Sequence, residues 1–271
     1  MIYAHNDHGL RRAIGYDVHG EGPAVLLLHP FPFDRRFWQT LALPGYRVIA
    51  MDARGYGDSA VGEPGYSIDD LAEDAVALLD HLGVAMACAV GCSMGGYVAL
   101  AIAALHPARL SAMVLLDSRA GADGEAARAN RDAAITEIKA RGPRSFLDGV
   151  AVRLCGRSAS AEVRSSVQAL SEGASPDFSR ALPAALVALR DRPDRAALLP
   201  KLRIPVLVAV GEEDTVTPPD EARAMHGVIP GAELAVLEGC GHLPSWEGPA
   251  RTSEVLATFL SHTIGDVAPE R

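Results

Sequence analysis

Short, unbroken apolar runs, separated by stretches with helical spacing, limit what this chain can become more than any other feature. Ala24–Leu28 and Arg47–Met51 are two such runs, and residues 86–90, 112–116, 205–210 and 234–237 repeat the pattern. Between them, residues 68–82 place Leu71, Ala75, Leu78, Leu79 and Leu82 at helical intervals and stop at Gly83. Met94–Leu105 is an apolar helix closed by His106-Pro107. A strand buried on one face alternates apolar and polar side chains. These runs do not alternate, so both faces are expected to be covered, as in a parallel sheet packed between helices. Ligands of such sheets bind beyond the carboxyl ends of the strands.

Residues 122–199 break the pattern. They carry Arg-, Ala- and Glu-rich helical stretches interrupted at Gly142-Pro143, Gly156, Ser175-Pro176 and Arg192-Pro193, with no convincing strand. A segment of roughly 80 residues is much longer than a crossover needs. The expected organisation is a sheet domain built from residues 1–121 and 200–271, with residues 122–199 inserted as a helical cap. A cap over the strand ends can shield chemistry from water.

Composition removes several function classes. The net charge is -9, from 25 basic and 34 acidic side chains, and only 5% of residues are aromatic. Such a chain is poorly suited to phosphate backbones or base stacking, so no nucleic-acid partner is expected. No apolar run reaches the roughly 20 residues that a membrane span requires, and the first eight residues lack the pattern of a secretory signal. The four cysteines (Cys88, Cys92, Cys155, Cys240) show neither CxxC nor zinc-like spacing, so no metal is expected and a reducing, cytoplasmic setting is.

The chemistry concentrates around Gly91-Cys92-Ser93-Met94-Gly95, a G-x-S-x-G pattern between a predicted strand and a predicted helix. That context requires a sharp turn which pushes the serine hydroxyl out at the sheet edge, with glycines where backbone and helix crowd together. A serine nucleophile needs a base, and the base needs an orienting carboxylate. Gly211-Glu212-Glu213-Asp214 follows one predicted strand, and Gly239-Cys240-Gly241-His242 follows the last. Asp214 is the expected acid and His242 the expected base. Asp117, ending another strand, is the rival acid; Glu212 and Glu213 read as solvated or helix-capping neighbours. Acyl transfer also needs donors for the oxyanion. The N–H of Met94, the residue after the serine, is one. In the loop His29-Pro30-Phe31-Pro32 both prolines lack an N–H, which leaves Phe31 as the second. His29 is expected near the site as a structural hydrogen-bonder. Phe33, Trp38, Leu243 and Trp246 flank the same loops and are expected, with Phe31 and Met94, to line an apolar substrate pocket, with loop packing the equal alternative for Trp38 and Trp246.

Taken in order, four motifs resemble those of the α/β-hydrolase family of serine esterases. They are His29-Pro30-Phe31-Pro32, Asp52-Ala53-Arg54-Gly55-Tyr56-Gly57-Asp58-Ser59, Gly91 to Gly95, and the pair Gly211–Asp214 with Gly241-His242. The subgroup with the nearest resemblance contains small-molecule esterases, enol-lactonases and cofactor-free haloperoxidases. The resemblance implies an α/β fold with a doubly wound, mostly parallel eight-stranded sheet. It also implies a helical cap between the sixth and seventh strands, and a Ser-His-Asp mechanism with no cofactor. The family's oxyanion loop usually reads His-Gly, whereas this chain reads His29-Pro30. The substrate implied is a small ester or lactone, with a homodimer left open. Perhydrolase or haloperoxidase chemistry, carbon–carbon bond hydrolysis, and a non-catalytic receptor on the same fold are the alternatives.

Overall fold

The computed structural model describes residues 2–5, 11–61 and 65–265. Strands β1 (Ile2–His5) and β2 (Arg11–Ile14) pair as an antiparallel hairpin of their own. The main sheet contains β3 (Tyr16–His19), β4 (Ala24–Leu28), β5 (Arg47–Met51), β6 (Ala87–Cys92), β7 (Leu110–Leu116), β8 (Val206–Gly211) and β9 (Glu233–Leu237). Its order is β3-β5-β4-β6-β7-β8-β9; β3 runs antiparallel to β5, and every other pairing is parallel. Among the described residues this sheet has seven strands, one fewer than the eight expected.

The unbroken apolar runs have the predicted cause. Alternate side chains of one strand enter two different cores: Leu26 and Leu28 of β4 face one, Val25 and Leu27 the other. The first core is closed by α1 (Ile68–His81), α2 (Met94–Leu105) and α8 (Pro219–Val228), the second by α10 (Pro249–Thr263) through Leu256, Phe259 and Leu260. Truncating a fully buried residue such as Leu26 to alanine should cost about 2–5 kcal/mol. Helix α1 starts where the sequence supplies a cap. The Ser67 side chain accepts from the Asp70 N–H, and the Asp70 carboxylate accepts from the Ser67 N–H, an arrangement worth about 1 kcal/mol. It ends at Gly83, whose φ of 66° suits glycine.

Between β7 and β8 the described chain contains helices only: α3 (Glu125–Arg141), α4 (Arg144–Leu147), α5 (Val150–Leu154), α6 (Ala161–Glu172) and α7 (Phe178–Arg190), followed by a short 3-10 turn. The two ends of this insertion are joined by buried charge. Asp123 pairs with Arg192 at 2.5 Å and also with Arg131. The Arg192 guanidinium lies 4.3 Å from the Tyr97 ring centroid, which ties the junction to α2. The insertion rests on loops leaving the carboxyl ends of β4 and β5. Ser175 Oγ donates to Gly55 O at 2.5 Å, Gly57 N to Ala174 O at 2.7 Å, and the Phe146 and Phe31 ring centroids are 5.6 Å apart. No helix among the described residues is long and apolar enough to cross a membrane.

Candidate active site

Ser93 sits in the turn between β6 and α2, with φ 50° and ψ -110°. A non-glycine residue at positive φ is strained, and three close contacts hold it there. Ser93 N donates to Leu116 O at 2.9 Å, Ser118 Oγ donates to Ser93 O at 2.9 Å, and Gly96 N donates to Ser93 O at 2.9 Å. The flanking glycines are sterically required. A Cβ on Gly91 would overlap Gly95 O, and one on Gly95 would overlap Leu28 O. The helix can thus start directly behind the serine, which is partly exposed.

His242 and Asp214 meet at the same edge, 2% and 3% exposed. His242 Nδ1 lies 2.8 Å from Asp214 Oδ2. An ionised carboxylate only accepts, so Nδ1 carries the proton and Nε2 is left basic. Asp214 Oδ2 also accepts from Thr217 Oγ1 at 2.6 Å, while Oδ1 accepts from Val216 N at 2.7 Å and Thr217 N at 3.1 Å. Burial opposes ionisation of Asp214. The His242 charge and the hydrogen bonds from His242 and Thr217 outweigh it and hold the carboxyl at about 2.

Asp117, the rival acid, stands beside this pair; ligand-type atoms of Asp117, Asp214 and His242 lie within 4.8 Å of one another. Such a cluster could also hold a cation. All four acceptor positions of Asp214 are already taken by donors, however, so an ion would have to displace them. Asp117 is fully buried, with a φ of 46°. Its Oδ1 accepts from Gly211 N at 2.8 Å, and its Oδ2 has no hydrogen-bond partner. Burial first, and then the Asp214 charge, pushes its pKa far above the usual carboxylate range. The imidazole hydrogen-bonds Asp214 and not Asp117.

The loop after β4 turns back on itself. Phe33 N donates to Pro30 O at 3.0 Å across a turn with a cis peptide bond at Pro32. That bond uses the N–H of Phe33 and not the one at Phe31. His29, 2% exposed, accepts from Ala53 N at Nε2 (2.9 Å) and turns Nδ1 to Pro30 O (3.0 Å). It is thus the neutral Nδ1–H tautomer, and burial lowers its pKa. Met94 opens α2, where an N–H has no partner within the helix.

The expected pocket residues divide. Phe31 contacts Tyr56 and the inserted Phe146. Phe33 and Leu243 are fully buried, Phe33 against Phe37. Trp38 lines a separate surface cavity with Leu27, Leu43 and Tyr46, and Trp246 Nε1 donates to Phe37 O at 2.9 Å. The structure therefore places Phe33, Trp38 and Trp246 in loop packing. Large aromatics near catalytic loops are as useful for fixing those loops as for lining a pocket. Glu213 is not solvated: its side chain is 7% exposed and accepts from Ser158 N, Ser158 Oγ and Arg157 Nε. Ser118, Thr217 and Glu247, which hold the Ser93 turn, Asp214 and the loop around His242, are not singled out by the sequence.

A sequence profile of the alpha/beta hydrolase fold matches residues 23–249. The chain belongs to the α/β-hydrolase fold family. This α/β hydrolase is 33% identical to a thermophilic esterase from Thermogutta terrifontis, with 97% of each chain covered and a TM-score of 0.89. It is 30% identical to Est816, described as an N-acyl homoserine lactone degrading enzyme, over 95% of this chain and 99% of that one, with a TM-score of 0.75. It is also 31% identical, over 94% of its length and 98% of the relative's, to a protein of Variovorax paradoxus (strain S110) provisionally named carbamate hydrolase RutD. The esterase and lactonase likeness agrees with the subgroup that the motifs resemble.

Proposed function

We propose that this α/β hydrolase cleaves small carboxylic esters or lactones through an acyl-enzyme on Ser93. The observation that carries the reading is the buried Asp214–His242 pair at the same strand-end edge as a serine on a strained elbow, with Cys92 Sγ, next to Ser93, 3.9 Å from His242 O. In the proposed cycle His242 Nε2 takes the Ser93 proton as Oγ attacks the carbonyl carbon, and the N–H groups of Phe31 and Met94 receive the oxyanion. Asp214 stabilises the imidazolium. As the tetrahedral intermediate collapses, His242 gives its proton to the leaving alcohol. Water, deprotonated by the same imidazole, then releases the acid and restores Ser93. The helical insertion, resting on Phe31 through Phe146, is proposed to close the site and select the substrate.

A carbamate is the second reading, favoured by the Variovorax paradoxus relative. The same attack would apply, with an amine leaving group. Turnover of p-nitrophenyl acetate, lost in Ser93→Ala, is the expected result. A panel of esters, lactones and carbamates graded by size then ranks the substrates. Tight binding across that panel without turnover would overturn the hydrolase reading.

A further inference from the structure

Three residues of the insertion, Gly156, Arg157 and Ser158, are gripped from two sides by carboxylates adjoining the acid and the base. Glu247 ends α9 (Pro244–Glu247), directly after the base loop. Its Oε2 accepts from Gly241 N at 2.9 Å and from the inserted Gly156 N at 2.6 Å, and its Oε1 accepts from Leu243 N at 3.0 Å. Gly241 and Leu243 are the two neighbours of His242. The N–H of His242 itself donates to Leu154 O, also in the insertion, at 2.9 Å. All three amides around the base are thus committed, two to Glu247 and one to the insertion. On the other side Glu213, the residue before the acid, takes Ser158 N at 2.8 Å, Ser158 Oγ at 2.6 Å and Arg157 Nε at 3.0 Å. Glu213 N donates to Cys240 O at 2.7 Å, closing the ring. The approach is close enough to need glycine on both chains: a Cβ on Gly241 would overlap Gly156 N, and one on Gly156 would lie 2.8 Å from Gly241 N.

We infer that residues 154–158 form a strap, held by Glu213 and Glu247, that sets the position of His242 relative to Asp214, so that displacement of the insertion loosens the base. Glu247 and Glu213 are then positioning residues that touch no substrate. A carboxylate suits this role because it can accept three backbone N–H groups and offers no hydrogen to clash with them. Glutamine cannot do the same: either orientation of its amide turns an NH2 group toward at least one of those donors. The inference rests on His242 being the base, so its test includes a signal independent of turnover.

That signal is the downfield proton resonance of His242 Nδ1–H in its bond to Asp214. In Glu247→Gln we expect this resonance to shift and broaden. Ser93 labelling by a fluorophosphonate should slow at least tenfold, and kcat per titrated site for p-nitrophenyl acetate should fall similarly, with KM within about threefold. The double variant Arg157→Ala/Ser158→Ala removes the two side-chain bonds to Glu213 and leaves only the Ser158 N bond at that end. It should move the resonance in the same direction, by less, and it decides the matter if Glu247→Gln does not fold. An unchanged resonance with unchanged labelling in a folded variant would overturn the strap. A wild-type protein that shows the resonance but does not label at Ser93 would instead refute the hydrolase reading, and the resonance would still decide the strap.

Discussion

Replacing Asp214 by asparagine tests the acid–base assignment through a consequence peculiar to this geometry. Oδ1 of Asp214 accepts two backbone N–H groups, from Val216 and Thr217, whereas Oδ2 faces His242 Nδ1 and the rotatable Thr217 hydroxyl. The asparagine carbonyl will take the Oδ1 position, since its NH2 cannot face two fixed donors. The NH2 then points at His242 Nδ1, and the Thr217 hydroxyl can turn to accept from it. Nδ1 must become an acceptor, so the proton moves to Nε2, the atom needed to take the Ser93 proton. The hydrogen-bond count is kept while the tautomer is inverted. Loss of stability should stay within about 1–2 kcal/mol. The loss in kcat should reach roughly 10^3–10^4-fold, which is about 4–5.5 kcal/mol of transition-state stabilisation. Active-site-titrated kinetics on p-nitrophenyl acetate, with thermal unfolding of the same samples, measure both. A variant that keeps more than a tenth of wild-type kcat would rule out Asp214 as the orienting carboxylate and point to Asp117.

Three other outcomes are expected. Asp117→Asn should keep kcat within about threefold, because the imidazole hydrogen-bonds Asp214 and not Asp117. The folded pKa of Asp117 lies above the unfolded value, so its contribution to stability is present below about pH 4 and is lost as pH rises through the folded pKa. The asparagine variant should therefore gain in relative Tm from pH 4 to pH 8, and a constant difference would contradict this. Asp214 behaves oppositely. With its pKa held at about 2, it contributes roughly 2 kcal/mol that is present above about pH 4 and lost as pH falls toward 2. Denaturant titrations should show that loss in wild type and not in Asp214→Asn. Finally, Gly95→Ala should abolish Ser93 reactivity and destabilise the fold, because its Cβ would overlap Leu28 O in the sheet; a crystal structure with an unmoved elbow would refute that.

The parts legible in the sequence are those where one physical demand acts on adjacent residues. Strand β4, helix α2 and the elbow between β6 and α2 meet that condition, because burial on both faces or crowding at a turn marks every position. Strand β3 does not: its burial is slight after Tyr16, so an edge strand carrying Asp17 and His19 leaves no apolar signature. Strand β6 runs on through Gly91 and Cys92, which read as turn residues, because both pair with β7. Asp214 and His242 are legible as residues of loops that leave strand ends, the first opened by Gly211 and the second carrying Gly239 and Gly241. Glu247 is not, since its partners are backbone amides at Gly156, Gly241 and Leu243, which carry no side-chain signal. The flanking aromatics carry no such mark for a related reason. Proximity in sequence to catalytic loops does not say which way a ring points, and Phe33 points into the core.

Mass spectrometry after rapid acid quench, with a slowly deacylating p-nitrophenyl ester, detects the proposed covalent acyl intermediate on Ser93 directly. The peptide containing Ser93 should gain one acyl group within the burst of p-nitrophenol, and neither the adduct nor the burst should appear in Ser93→Ala. Turnover that persists in Ser93→Ala, or an acyl group carried on any other residue, would contradict it.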